Sequence, residues 1–128
     1  NGISFDYQDS ENGGVMIDNP NEPKVKDLSV EELSAWIKEG KVVNVFDVRS
    51  ESEREIARLD FAEHFTPEAQ QKMANFSKDA LIIFQCRTGG RSLSAGKHYV
   101  QQGFSNVYNL VGGINAWAER IDTSLTVY

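Results

Sequence analysis

Cysteine is nearly absent from this chain: Cys86 is the single one in 128 residues. One thiol cannot close an internal disulfide, which points away from an oxidising compartment and toward the cytoplasm. Nor can it build a cysteine-rich zinc site. With only His64 and His98 beside it, no metal and no cofactor are expected. Long hydrophobic runs are also lacking. No stretch reaches about 18 apolar residues, so neither a membrane span nor a membrane partner is expected. No secretory leader is read. Basic residues are too few for a nucleic-acid partner: 13 Lys and Arg stand against 19 Asp and Glu, a net charge of −6, where nucleic acid calls for a basic face. Only three prolines occur, and two of them, Pro20 and Pro23, lie close together near the start.

What is present is ordinary for a globular protein, 40% hydrophobic and 25% charged residues. The length suits one domain able to bury a core without staples. Residues 1–23 differ from the rest, being rich in Gly, Asn, Asp and Ser, with Asn21 and Glu22 bracketed by prolines. They read as a largely irregular linker, a tail from a preceding domain. The chain starts at Asn1 rather than Met, and it is expected to be part of a longer protein. Residues 24–128 form the domain proper.

Regular patterning starts at Val25, with a short edge strand over Val25–Leu28. Ser29 with Glu32 makes a capping box for a helix whose Val30, Leu33, Trp36 and Ile37 share a face and which Gly40 ends. Val42–Val48 is a near-continuous apolar run, as in a parallel strand covered on both faces. Ser50–Arg58 is charged and helical. Thr66 and Pro67 open another helix, to about Asn75. Ala80–Gln85 is a second buried strand. A helix from about Arg91 to Gln102 turns Leu93, Gly96 and Val100 inward. Asn106–Asn109 is a third buried strand, Gly112 and Gly113 make a turn, and Ile114–Arg120 is a last helix. Strands alternating with helices specify an α/β fold with a mostly parallel sheet.

Ligands of open parallel sheets bind beyond the carboxyl ends of the strands, and Cys86 follows the most apolar strand. Thr88, Gly89 and Gly90 let the backbone curl so that successive N–H groups point inward as an anion-binding nest. The helix beginning near Arg91 adds its positive end. Arg87 and Arg91 supply full charges on either side. Such surroundings favour a thiolate and an anionic substrate. A Cys–His pairing is a weaker reading. His98 lies roughly 10 Å along its helix from Arg91 at about 1.5 Å per residue. His64 can approach, but a thiolate already formed needs no base.

Cys86-Arg87-Thr88-Gly89-Gly90-Arg91-Ser92 resembles the active-site loop of single-domain rhodanese-like sulfurtransferases. Phe46-Asp47-Val48-Arg49 is similar to that family's Asp-Val-Arg segment, and Gly103-Phe104-Ser105-Asn106-Val107 to the turn into its last strand. Asn109-Leu110-Val111-Gly112-Gly113-Ile114-Asn115-Ala116-Trp117 matches its C-terminal signature. The resemblance spans roughly Val25 to Ile121. It implies a three-layer α/β/α fold with a mostly parallel five-stranded central sheet. It also implies transfer of a sulfane sulfur, from a small anionic donor such as thiosulfate or from a persulfide, through a Cys86 persulfide to a thiol or to cyanide. On this resemblance Cys86 is the nucleophile, and Arg87, Thr88, Gly89, Gly90, Arg91 and Ser92 form the substrate-binding loop. Asp47 and Arg49 support the pocket, or form only a structural ion pair. Where the family has a Gly-His-Ile-x-Gly-Ala segment, this chain has Ala57-Arg58-Leu59-Asp60-Phe61-Ala62. Arg58 then either brings a cation near the site or faces water.

Two other readings stay open. Phosphatases and arsenate reductases resemble this fold but place five residues between Cys and Arg, whereas here only Arg87, Thr88, Gly89 and Gly90 intervene. Non-catalytic rhodanese-like binding modules typically lack the loop Cys. Finally, Gly2-Ile3-Ser4-Phe5-Asp6-Tyr7 and Gly13 to Asn21 are similar to the end of an A-type iron–sulfur carrier. That carrier's Cys-Gly-Cys ligands are replaced here by Glu22-Pro23-Lys24-Val25, so no cluster is expected. The similarity suggests the C-terminal domain of a longer monothiol-glutaredoxin-related protein. Glutathione or a thiol protein such as a glutaredoxin is the expected acceptor, and the isolated domain is expected to be a monomer.

Overall fold

A computed structural model describes residues 24–128. The expected linker at 1–23, including the carrier-like segment, lies outside the described residues. Five strands and five helices alternate: β1 (Lys26–Leu28), α1 (Val30–Lys38), β2 (Asn44–Asp47), α2 (Glu51–Ile56), β3 (Ala62–His64), α3 (Pro67–Ala74), β4 (Ile82–Gln85), α4 (Gly90–Gln101), β5 (Val107–Leu110) and α5 (Gly113–Arg120). The strands make one sheet in the order β1-β5-β4-β2-β3. Every pairing is parallel, so the sheet is wholly rather than mostly parallel.

The period-two alternation of side chains builds the two cores. Val45 and Ile83 join Leu33, Leu110, Ile114 and Trp117 under α1 and α5. Phe46, Ile82 and Phe84 join Ala69, Met73, Ala95 and Tyr99 under α3 and α4. The result is three layers, helices on both faces of the sheet. Helix starts follow their local chemistry. Ser29 and Glu32 form a complete capping box, as do Ser50 and Glu53, and Thr66 Oγ1 accepts the Ala69 N–H at 3.1 Å ahead of Pro67. Among the described residues no helix is long and apolar enough to cross a membrane.

Three expectations need correction. The run 42–48 yields a strand only over Asn44–Asp47, and Val42 is 84% exposed because it precedes the sheet. β3 arises between the Ser50–Arg58 and Thr66 helices, where no strand is expected from the sequence. It has three residues and pairs with β2 alone, at the sheet edge. In α4 the buried residues are Ser92, Ala95, Gly96 and Tyr99; Gly96 is inward as expected and Val100 packs half-buried against the second core, but Leu93 belongs to neither core. The helix is rotated so that Tyr99 meets Phe65, Phe84 and Phe104. Gly96 then faces Val25, just ahead of β1, and Val107 of β5, where an added Cβ would stand 2.9 and 3.4 Å from them.

Candidate active site

β4 is the central strand, and residues 86–89 leave its carboxyl end to enter α4. The cap residue of α4, Gly89, has φ +112° and offers no side-chain acceptor to the first turn. Cys86 takes that place. Its Sγ accepts the N–H of Gly89 at 3.1 Å and that of Ser92 at 3.4 Å. Those donors belong to the four amides a helix start leaves without partners, and they stabilise negative charge on the sulfur. Ser92 Oγ lies 3.3 Å from Sγ and donates to Asn109 Oδ1. Cys86 itself is only 1% exposed, while Arg87 and Thr88 beside it are exposed.

The loop is held from its other side by a second helix start. Ile114 N–H donates to the Cys86 carbonyl at 2.9 Å, and Asn115 N–H to the Arg87 carbonyl at 3.1 Å. Gln85 Nε2 also donates to the Cys86 carbonyl, at 2.8 Å. The carbonyls are thereby drawn toward α5, and amides are left to face the sulfur. Gly113 makes this approach possible. Its φ is +59°, and a Cβ there would stand 2.3 Å from the Cys86 carbonyl oxygen.

Arg91 directs its guanidinium to Glu53. Its two terminal nitrogens donate to the two carboxylate oxygens at 2.7 and 2.8 Å. This bidentate bond, with help from Tyr128 and Ser50 and against burial, holds the Glu53 carboxyl well below the usual carboxylate range. The same bond to Glu53 holds the Arg91 guanidinium above its ordinary value. Tyr128 Oη donates to Glu53 at 2.8 Å and accepts from Arg49 at 2.8 Å. Arg49 and Asp47 are both buried. They share a two-point ion pair, Nε to Oδ1 at 3.0 Å and Nη2 to Oδ2 at 2.8 Å, and Arg54 adds a bond to Oδ2 at 2.8 Å. Burial opposes charge on Arg49, but Asp47 and Tyr128 outweigh it and raise its pKa.

Of the residues singled out in the sequence, Cys86, Arg87, Thr88, Gly89, Gly90, Arg91 and Ser92 are brought together at one strand end. Asp47 and Arg49 sit beside them, linked to Arg91 through Tyr128 and Glu53. Arg58 is not brought there. It is exposed and lines a separate cleft of about 540 Å³ with Lys38, Phe61, Trp117 and Ile121. The His64 ring is occupied elsewhere, with Nε2 3.1 Å from the Arg49 carbonyl oxygen and Nδ1 3.1 Å from Glu51. Among the described residues no three His, Cys, Asp or Glu side chains are placed to share a metal ion.

Sequence reasoning missed Glu53, Asn109, Asn115 and Tyr128. Ser50-x-x-Glu53 is a capping pattern that could have flagged Glu53 as a helix-start residue, but its partner Arg91 lies 38 positions away. Asn109, a buried polar residue within an apolar strand, was the remaining visible signal.

Comparison with known proteins agrees with this geometry. The family model for the rhodanese-like domain matches residues 29–120. The chain is 34% identical over 115 residues to the rhodanese-like/PpiC domain-containing protein 12, chloroplastic, of Arabidopsis thaliana. That match takes in 81% of this chain but only 38% of the plant protein. A sulfurtransferase of Allochromatium vinosum is 32% identical over 102 residues, 73% of this chain and 89% of that protein. A crystal structure of a rhodanese-like domain protein from Staphylococcus aureus superposes with a TM-score of 0.63 at 24% identity, covering 73% of this chain and 91% of that one. A parallel five-stranded sheet with its cysteine loop after the central strand, and a family model spanning most of the described residues, lead to one conclusion: the chain belongs to the rhodanese-like domain family.

Proposed function

We propose that the protein is a sulfurtransferase that carries a sulfane sulfur on Cys86. The observation that carries this reading is the Cys86 sulfur accepting the Gly89 and Ser92 N–H groups, at 3.1 and 3.4 Å, inside a loop with four residues between Cys86 and Arg91. The Cys86 thiolate attacks the outer sulfur of thiosulfate. The sulfur–sulfur bond breaks, sulfite leaves with its electron pair, and Cys86 holds a persulfide. An acceptor thiolate then attacks the terminal sulfur, leaves as a persulfide, and returns the Cys86 thiolate. Cyanide can replace the thiol, giving thiocyanate. A persulfide donor replaces thiosulfate with no change in the balance. Fixed N–H donors aimed at the sulfur stabilise charge through both steps.

No cofactor is needed beyond the covalent persulfide. The acceptor is a small thiol such as glutathione, or a thiol protein such as a glutaredoxin, in the cytoplasm. Loop residues 87–92 bind the donor, while Asp47 and Arg49 act at a distance by holding Tyr128 and Glu53. Relatives named sulfurtransferase support the reading. Intact-mass measurement after thiosulfate treatment tests it. One added sulfur on Cys86, with sulfite released and neither seen for Cys86→Ala, is expected. Hydrolysis of an aryl phosphate without that adduct would replace the reading with the phosphatase one.

A further inference from the structure

We propose that Tyr128 is a positioning residue that holds the exposed Arg87, next to Cys86 in the loop, and thereby sets the preference of Cys86 for anions. Tyr128 lies beyond the residues that the family model matches. Four arginines lie in the loop or in the charge network beside it. Arg49 and Arg54 bind Asp47, and Arg91 binds Glu53. Arg87 alone of the four has no described carboxylate within ion-pair distance. Its guanidinium instead lies 5.0 Å from the centre of the Tyr128 ring, within the range of a cation–π contact. A cation held by a neutral ring keeps its full charge for a ligand, whereas a carboxylate partner would cancel it.

The ring is fixed at several points. Its Oη donates to Glu53 and accepts from Arg49, both at 2.8 Å. Its backbone N–H donates to Asn115 Oδ1 at 3.4 Å, and its carbonyl accepts from Asn115 Nδ2 at 3.2 Å. Asn115 in turn donates its own N–H to the Arg87 carbonyl at 3.1 Å. One residue of α5 therefore holds both the backbone of Arg87 and the residue on which the Arg87 side chain rests. Loop and ring cannot drift apart independently.

The inference rests on the anion-handling role given to the loop above, but its test does not require sulfur transfer. Cys86 is the chain's single thiol, so its alkylation rates can be read directly. Iodoacetate carries a negative charge; iodoacetamide, of similar size, carries none. The readout is the ratio of the two rates. Tyr128→Leu is expected to lower that ratio by up to about fivefold, the effect in water of removing one unit charge from within about 4 Å of the reagent. Arg87→Met should lower it similarly, and Tyr128→Leu should add nothing in the Arg87→Met background. Tyr128→Phe, which keeps the ring, should restore most of the ratio. Tyr128→Met serves if Tyr128→Leu does not fold. A ratio unchanged in Tyr128→Leu, or a further drop in the Arg87→Met background, overturns the proposal. Sulfite release from thiosulfate by the unaltered chain tests the sulfurtransferase reading separately, so failure of one is distinguishable from failure of the other.

Discussion

Replacing Gly113 with alanine perturbs the point where α5 meets the cysteine loop, and the structure sets the size of the effect. The φ of +59° costs a residue with a Cβ about 1–2 kcal/mol. The added methyl would stand 2.3 Å from the Cys86 carbonyl oxygen and 2.5 Å from that of Arg87, about 1 Å short of ordinary contact. Both neighbours are backbone atoms, so no side chain can swing away. The loop and α5 must separate, which stretches the Ile114-to-Cys86 and Asn115-to-Arg87 bonds of 2.9 and 3.1 Å. Each such bond is worth about 0.5–1.5 kcal/mol. Together these give a loss of roughly 2–5 kcal/mol in a urea titration at unchanged m-value. Gly40→Ala isolates the contact, because Gly40 has φ +78° with nothing within 4 Å of its Cβ position. It carries the conformational cost alone. Persulfide formation on Cys86 should also slow in Gly113→Ala, since the loop amides lose their fixed direction, and remain normal in Gly40→Ala. If Gly113→Ala is no more destabilising than Gly40→Ala, the α5 start does not clamp the loop as described.

Two further changes probe the charge network. Glu53 gains from Arg91 first, then from Tyr128 and Ser50, and its carboxyl is held below the ordinary 4.5. A depressed carboxyl contributes stability that is present above its unfolded pKa and lost as pH falls below it. Urea midpoints followed downward from about pH 6 should therefore fall more steeply for the unaltered chain than for Glu53→Gln; parallel slopes would show that Glu53 contributes nothing through its charge. Asp47→Asn leaves the buried Arg49 without its carboxylate, a change that costs about 3–5 kcal/mol when a buried pair is broken from one side. Calorimetric or urea unfolding showing a loss below about 1 kcal/mol would mean that water or another group replaces Asp47.

What could be read from the sequence follows from how far each interaction reaches along the chain. The loop after β4 was legible because its parts are adjacent: apolar strand, cysteine, two glycines, helix start. Ser29 with Glu32 and Thr66 with Pro67 were legible for the same reason. β3 was not, since Ala62-Glu63-His64 has one buried residue and owes its extended form to β2 alone. The inward face of α4 was only partly read, because an aromatic cluster around Tyr99, drawn from β2, β4, the β3–α3 connection and the 102–106 turn, fixes the helix rotation. Amphipathic counting within α4 cannot see that cluster. The charge network was least legible. Glu53 lies 38 positions from Arg91, and Tyr128 75 from Glu53, so nothing in either neighbourhood announces the other. Arg58 illustrates the converse. It stands in the segment where the family's pocket wall is expected, yet that segment runs from the end of α2 toward the start of β3. In a parallel sheet the start of a strand lies at the end opposite to the cysteine loop, which places the Arg58 cleft away from Cys86. Local chemistry thus specified the sulfur cradle itself, and only the folded chain specified which charges surround it.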